Sequence, residues 1–245
     1  ALRELHRSVA VGGRVALTMI PGDHDGRDLP DDDFPGRWFA LWSADDLADV
    51  VCDAGFDDVA VEVTDAPRPG AGRLLVTGRR ARRLADTVGP GMRLLVCGLN
   101  PSEYSADAGV PYARPGNRFW PAALRAGVVT RDRDPLHALS DHGVGFTDLV
   151  RRATPAISDL ERGEFAAGAA RLERLVARTG VRMVCFVGLA GYREAFDRRA
   201  RAGVQDRTIA GATAYVMPST SGLNASSQVP DLAEHLAAAA ALAGV

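Results

Sequence analysis

The second part of the chain, from Arg93 onward, alternates short apolar runs with longer stretches of helical periodicity. Runs that are apolar throughout are typical of parallel strands buried on both faces, and here they are Leu94–Cys97, Met183–Val187 and Ala214–Met217. The stretches between and after them predict four helices, at Asn117–Ala126, Phe165–Arg178, Gly191–Arg201 and Val229–Leu242. We therefore expect an α/β fold over residues 93–245, a three-layer α/β/α sandwich with a mainly parallel central sheet.

The first part of the chain has shorter elements and more turn formers. A helix and a Gly12-Gly13 turn precede a strand at Arg14–Ile20, and an acidic loop follows at Gly26–Gly36. A Ser43-capped amphipathic helix then leads to two further strands. The strands are Val59–Thr64 and Arg73–Gly78, with Pro67–Gly72 as the loop between them.

A segment rich in arginine and ending in Gly-Pro-Gly separates the two parts. We expect residues 1–82 to form one domain, residues 83–92 a linker and residues 93–245 a second domain. The chain begins at Ala1 within a predicted helix, so we expect an upstream portion. No apolar run approaches the roughly 18 residues of a spanning helix, and no secretory signal layout is present. The expected location is the cytoplasm.

Composition excludes two kinds of chemistry. Cys52, Cys97 and Cys185 each lie in an apolar run, so we expect buried thiols rather than a disulfide or a metal site, and a four-cysteine iron–sulfur cluster is excluded. All 29 basic residues are arginine. Without a lysine amine, the usual nucleophile of imine chemistry is missing.

Charge is divided unevenly along the chain. Residues 1–82 contain 10 arginines and 15 acidic residues, a net charge of −5, whereas residues 83–245 contain 19 and 16, a net charge of +3. The small positive excess permits DNA binding by the second domain without arguing for it.

Three motifs follow or connect the predicted strands of the second domain. GLNPS (Gly98–Ser102) comes directly after the first buried strand, PYARPGNRFW (Pro111–Trp120) comes next, and MPSTSGLNA (Met217–Ala225) comes after the last strand. In an open parallel sheet, the ends of the strands are where chemistry is expected. In order and position the motifs resemble those of the mismatch-specific uracil-DNA glycosylase and thymine-DNA glycosylase family, which read GINPG and NPSGLS or MPSSSAR. The resemblance covers about residues 93–245.

The resemblance implies a DNA glycosylase with Asn100 as the catalytic residue, whose amide oxygen holds the attacking water. It also implies a pocket for the flipped base, in which the Tyr112 ring stacks on the base. The other pocket residues implied are Gly98, Leu99, Ser105 and Ser219. From the residues alone, alternatives stay open: Asn100 can be a turn residue, since Asn-Pro favours turns, and Tyr112 can pack in the core. Asn117 is expected to brace a loop, and Phe119 and Trp120 to lie in the core.

The third motif is implied to enter DNA. The hydroxyls of Ser219 and Ser221 would bind phosphates beside the extruded nucleotide, with Gly222 allowing close approach and Asn224 completing the loop. Leu223 would be the wedge that fills the vacated stack. The simpler alternative is a serine-rich loop that caps a helix.

The motifs depart from the family at several positions. Ser102 replaces the second glycine of GINPG, Ser219 stands where bacterial mismatch-specific enzymes have asparagine, and no arginine adjoins the wedge. These differences fall on residues expected to influence the choice of opposing base and the strength of product binding, and they leave Asn100 in place.

Residues 1–80 resemble the C-terminal half of class I S-adenosylmethionine-dependent methyltransferases, through the order of elements and the VGG and AGF turns. The cofactor-binding turn of that family lies in its first half, so we expect a packing module rather than a methyltransferase.

The resulting prediction is a monofunctional glycosylase that acts on double-stranded DNA containing a damaged or mismatched base. We expect a monomer without metal, cofactor or membrane association. One alternative is a DNA lesion-binding protein without turnover, and another is a remnant methyltransferase.

Overall fold

The computed structural model describes residues 1–27, 29, 33–64 and 72–245, which divide into two compact units, Ala1–Ala81 and Arg82–Val245. No described helix is long and apolar enough to cross a membrane. The predicted loop at Pro67–Gly72 lies outside the described residues except for Gly72, as do four residues of the predicted acidic loop.

The first unit is built on a three-stranded antiparallel sheet in the order β1-β5-β4, with a separate β2-β3 hairpin. Ser43 caps α2 as predicted, because its Oγ accepts a hydrogen bond from Asp46 N at 3.1 Å. Leu47, Val51 and Phe56 are fully buried in the core of this unit. Its elements are α1 (Leu2–Ser8), β1 (Arg14–Met19), β2 (His24–Arg27), β3 (Trp38–Leu41), α2 (Ala44–Asp53), β4 (Phe56–Thr64) and β5 (Arg73–Arg80).

Two predictions for this unit need correction. Strand β2 includes Gly26 and Arg27, which were expected in the acidic loop, because their backbone pairs with Phe39 and Trp38 of β3. Cys52 is only partly buried, unlike Cys97 and Cys185, since it lies near the end of an amphipathic helix with one exposed face.

The second unit contains a five-stranded sheet in the order β7-β6-β8-β10-β9, in which only β9 is antiparallel to its neighbour. Helices α4 and α8 pack on one face, and α6 and α7 pack on the other. The predicted three-layer α/β/α sandwich is therefore confirmed. The elements are β6 (Leu94–Gly98), α3 (Glu103–Ala108), α4 (Phe119–Arg125), α5 (Pro135–His142), β7 (Val144–Asp148), α6 (Arg162–Thr179), β8 (Met183–Val187), α7 (Leu189–Ala195), β9 (Gly203–Ile209), β10 (Ala212–Met217) and α8 (Val229–Ala243).

The end of α7 differs from the prediction. The helix was expected to continue to Arg201 but ends at Ala195. The guanidinium of Arg193 donates hydrogen bonds to the Ala200 carbonyl at 2.9 and 2.7 Å, which holds residues 197–202 as a loop leading into β9.

Residues 83–92, predicted as a linker, lie within the second unit. Thr87 and Phe146 exchange two backbone hydrogen bonds of 2.8 Å, so this segment pairs with the outer side of β7. The segment also carries the buried Asp86 into the unit, where its carboxylate meets two arginines.

Candidate active site at the carboxyl edge of the sheet

The segments that follow β6 and β7 run side by side beyond the ends of the strands. Leu149 N donates to Gly98 O at 2.9 Å, and Val150 N donates to Leu99 O at 2.8 Å. Further along, Thr154 N donates to Pro101 O at 3.3 Å. These bonds hold the GLNPS motif against the residues after β7, so the position of Asn100 depends on both segments.

The side-chain amide of Asn100 has a defined orientation. Its Nδ2 donates to Thr154 Oγ1 at 2.8 Å, and the carbonyl oxygens of Arg152 and Pro101 lie 3.2 and 3.3 Å from the same nitrogen. The Thr154 hydroxyl in turn donates to Ala156 O at 2.8 Å, so its oxygen acts as an acceptor toward Asn100. All partners of Nδ2 are therefore acceptors, and Oδ1 has no donor partner among the described residues.

Helix α3 positions the loop that carries Tyr112. Ser102 caps α3 by accepting from Ser105 N at 3.2 Å, and Ser105 Oγ accepts from Ala113 N at 3.1 Å. Because Ser105 is buried and its hydroxyl bonds within the protein, the structure gives it a bracing role beside Tyr112. Trp120 Nε1 donates to Pro111 O at 2.8 Å and fixes the other side of this loop.

Tyr112 combines packing with an unusual backbone. Its φ of 54° lies in the left-handed region, and its ring stacks on Phe119 with centroids 4.3 Å apart. The hydroxyl is buried without a hydrogen-bond partner among the described residues, and burial raises its pKa well above the ordinary value. Phe119 and Trp120 are core residues as predicted, and Asn117 braces the loop by accepting from Phe119 N.

Gly98 leaves room for two side chains beside the end of β6. A Cβ at this position would lie 2.1 Å from Asp148 Oδ1 and 3.1 Å from the Tyr112 hydroxyl oxygen. Any larger residue would collide with the Asp148 carboxyl group, which lies on the neighbouring strand in register with Gly98. The bare Cα thus brings a carboxyl group and a phenol together, two residues from Asn100.

Asp148 is a candidate functional residue that the sequence analysis missed. It is 8% exposed, and its carboxyl oxygens have no hydrogen-bond partner among the described residues. The pKa of Asp148 is raised from 3.8 to about 7, chiefly by burial and also by the Asp86 carboxylate, while Arg151 and Arg171 act in the opposite direction. Such a carboxyl group changes its charge near neutral pH, which suits a general base.

A buried ionic cluster lies behind Asp148. The Asp86 carboxylate is within 3.0 Å of the Arg151 guanidinium and 2.8 Å of that of Arg171, and it accepts a hydrogen bond from Thr147 Oγ1 at 2.9 Å. Arg171 also donates to the Asp148 carbonyl oxygen at 2.7 Å. Both guanidinium groups contact Asp86, and within the described part of the chain neither forms an ion pair with the Asp148 carboxyl group.

The loop after β10 is held by Arg118 of the second motif. Its backbone N donates to Thr220 O at 2.9 Å, and its guanidinium donates to the carbonyl of Ser221 at 2.6 Å and to those of Asn224 and Ser227. One guanidinium group therefore bonds three carbonyl groups of the same loop, which fixes the path of the loop.

The predicted DNA-binding residues have different surroundings within this loop. Leu223 is 88% exposed at its tip. By contrast, Asn224 uses its amide internally, donating to Ser219 O at 2.8 Å and accepting from Ser226. The Ser219 and Ser221 oxygens accept from backbone amides two residues further on. The loop between β10 and α8, residues 218–228 (the serine loop), therefore presents an apolar tip on a braced backbone, with Gly222 packed close to the Gly116 carbonyl.

The first and third motifs share one edge of the sheet. Gly188, directly after β8, lies against Ser219, since a Cβ there would be 3.5 Å from Ser219 Cβ. Gly191 in α7 lies against Leu99 in the same way, at 3.1 Å from Leu99 Cγ. The start of α7 thus connects the segment around Asn100 with the serine loop, and the structure does not place them on opposite sides.

Within residues 1–27, 29, 33–64 and 72–245, no three His, Cys, Asp or Glu side chains are grouped so that they could hold a metal ion.

A fold with catalytic candidates at the carboxyl ends of parallel strands defines a class of α/β enzymes. The family model of the uracil DNA glycosylase superfamily matches residues 85–242, which is more than half of the chain. The chain therefore belongs to the uracil-DNA glycosylase superfamily. Membership supports a DNA glycosylase-like function on a DNA substrate, as the three motifs predict.

Proposed function

We propose that this protein is a monofunctional DNA glycosylase that hydrolyses the N-glycosidic bond of a flipped-out uracil, or of a related damaged or mismatched base, and leaves an abasic site. The observation that carries the proposal is the fixed amide of Asn100, two residues after Gly98, against which the buried carboxyl group of Asp148 lies. Cleavage of this bond requires water at C1′ of an oxocarbenium-like sugar and support for the departing base anion.

The residues divide this work. The bonds to Nδ2 aim the Asn100 oxygen away from Thr154 and leave it free to accept a hydrogen bond from water. An amide is too weak a base to take the proton of that water, whereas the ionised Asp148 carboxylate is able to do so above its pKa of about 7. Because Asp148 must be ionised to accept this proton, we expect the rate of base release to increase as the pH rises through about 7.

The serine loop supports base extrusion. Leu223 projects from a loop whose path is set by Arg118, and an exposed apolar side chain on a braced loop fits insertion between stacked bases. Ser219 and Ser221 lie on the same loop, where their hydroxyl hydrogens are available to phosphates. The absence of lysine favours hydrolysis over an imine-forming lyase step.

A strand-cleavage assay tests this proposal. A duplex with one U opposite G is incubated with the protein and then heated with alkali, and the product is compared with that of an untreated aliquot. We expect cleavage only after alkali, and a loss of at least about 100-fold in rate for Asn100→Ala. A C:G duplex and the thermal unfolding of both proteins serve as controls. Binding to the U:G duplex without base release under long incubation would instead support a lesion-binding protein.

For residues 1–81 we propose a packing module that resembles part of a methyltransferase and has no catalytic role. The support is the small antiparallel sheet with its own core. Calorimetric titration with S-adenosylmethionine should show no heat of binding, and saturable binding would contradict the proposal.

A further inference from the structure

The loop between α7 and β9, residues 197–202, borders a pocket of about 420 Å³ that the mechanism above does not use. Tyr192 and Phe196 line it with aromatic rings, and Arg199, Arg201 and Arg207 surround it. Residues 197–207 contain four arginines and two aspartates, a net charge of +2. Most of the +3 excess of residues 83–245 is therefore concentrated here.

The backbone of this loop is fixed by neighbouring side chains. Arg193 donates twice to Ala200 O, and Gln205 Nε2 donates to the carbonyls of Arg201 and Gly203, both at 2.8 Å. Asp197 Oδ1 accepts from Arg199 N at 2.9 Å. A loop that is already ordered loses little conformational entropy when its side chains take up a ligand.

The arginines of the pocket differ in their partners. The Arg207 guanidinium lies 5.1 Å from the centroid of the Phe196 ring and 3.1 Å from a Glu173 carboxylate oxygen. Arg199 and Arg201 are exposed, and their guanidinium groups have no acceptor among the described residues. Two such guanidinium groups on a fixed loop are suited to phosphate oxygens.

The position of the loop favours nucleic acid as the source of phosphate. Gly203, at the start of β9, pairs with Val216 near the end of β10, and β10 leads into the serine loop. Paired strands lie about 4.8 Å apart, so the loop of residues 197–202 and the serine loop are neighbours at the same edge of the sheet. A duplex engaged by Leu223 would continue past this edge.

We propose that Arg199 and Arg201 bind backbone phosphates of the DNA that flanks the target base, and thereby extend the DNA-binding surface to the loop before β9. The inference rests on the proposed function only in taking DNA as the substrate. It concerns affinity and its dependence on salt, whereas base release depends on Asn100 and Asp148.

Salt-dependent binding of the whole chain to undamaged duplex DNA tests the inference. The logarithm of the binding constant K falls linearly with the logarithm of the salt concentration, and each lost phosphate contact makes this negative slope less steep by about 0.9. We expect the slope for Arg199→Ala/Arg201→Ala to be less steep than that of the wild-type protein by about 2. The matched control is Arg125→Ala/Arg182→Ala, which removes the same charge from exposed arginines outside the loop; Arg182 lies at the opposite end of β8.

The possible results separate the inference from the proposed function. An unchanged slope, or an equal loss of slope in the control, overturns the inference even if uracil is released normally. Calorimetric titration with inorganic phosphate and thymidine monophosphate shows whether the pocket binds a free anion instead. The inference is also overturned if this anion binding disappears in the double variant while the slope for DNA binding is unchanged. If the double variant shows the expected reduction in slope but the wild-type protein releases no base, only the glycosylase proposal is refuted.

Discussion

Asp148 offers a test of the candidate site that does not require the substrate. Its pKa of about 7 in the folded protein stands against 3.8 for an ordinary aspartate, a difference of about 3 units. At 1.36 kcal/mol per unit, the buried carboxylate lowers the free energy of unfolding by about 4 kcal/mol once it is ionised. Asp148→Asn keeps the shape of the side chain and removes the charge.

The direction in which stability changes with pH depends on whether Asp148 loses its proton at a lower pH in the unfolded chain or in the folded protein. Below about pH 4 both states are protonated, and Asp148 has no effect on stability. Between about pH 4 and pH 7 the unfolded chain ionises while the folded protein keeps its proton, so the free energy of unfolding falls as the pH rises. Above pH 7 the loss is complete and constant. The wild-type protein should therefore lose stability over this interval, and the Asp148→Asn variant should lack this contribution to the loss.

Denaturant unfolding measured at intervals from pH 4 to pH 8.5 gives the slope of the free energy of unfolding against pH for each protein. Asp141→Asn is the control, because Asp141 is an exposed carboxylate whose pKa is lowered chiefly by the hydrogen bond from Ser140, so its removal leaves the Asp148 contribution in place. Equal slopes for wild type and the Asp148→Asn variant would refute the raised pKa. If the slopes differ but the rate of base release is unaffected by the substitution, Asp148 is buried and titrates but is not the base.

Two further substitutions address the parts of the site separately. Thr154→Val removes the acceptor that orients Asn100, and we expect kcat to fall by about 10- to 100-fold with little change in KM, which steady-state kinetics on the U:G duplex can measure; a change confined to KM would contradict this role. Leu223→Ala should reduce base release from paired duplex more than from single-stranded DNA, because a wedge acts only where a stack must be opened; equal losses on both substrates would argue against a wedge.

The sequence was sufficient to predict the strands whose environment is uniformly apolar. Strands β6, β8 and β10 are buried on both faces, and their composition shows it. Strand β7 is buried at all five positions too, but its last two residues are Thr147 and Asp148. Thr147 is accommodated by Asp86 and Arg171, which lie 61 and 24 residues away, so no local pattern indicates this strand. Strand β9 is a largely exposed edge strand and lacks an apolar pattern altogether.

The candidate site shows a similar division. Asn100 and Leu223 belong to motifs with a recognisable order, so a resemblance was enough to select them. Asp148 belongs to no such motif, and its significance arises from burial and from its register with Gly98. No local pattern singles out Asp148 in the sequence, because Thr147 separates it from the short run that ends at Phe146.

The groups that hold the site come from segments far from those they hold. Thr154 orients Asn100 across 54 residues, and Arg118 holds the serine loop across more than 100. Because Arg118 lies two residues before Trp120, which is fixed to Pro111, a shift in the Tyr112 loop would be transmitted to the loop that carries Leu223. The second and third motifs are thus coupled through Arg118 and Trp120, so under the proposed function the loop that stacks the base and the loop that enters DNA would shift together.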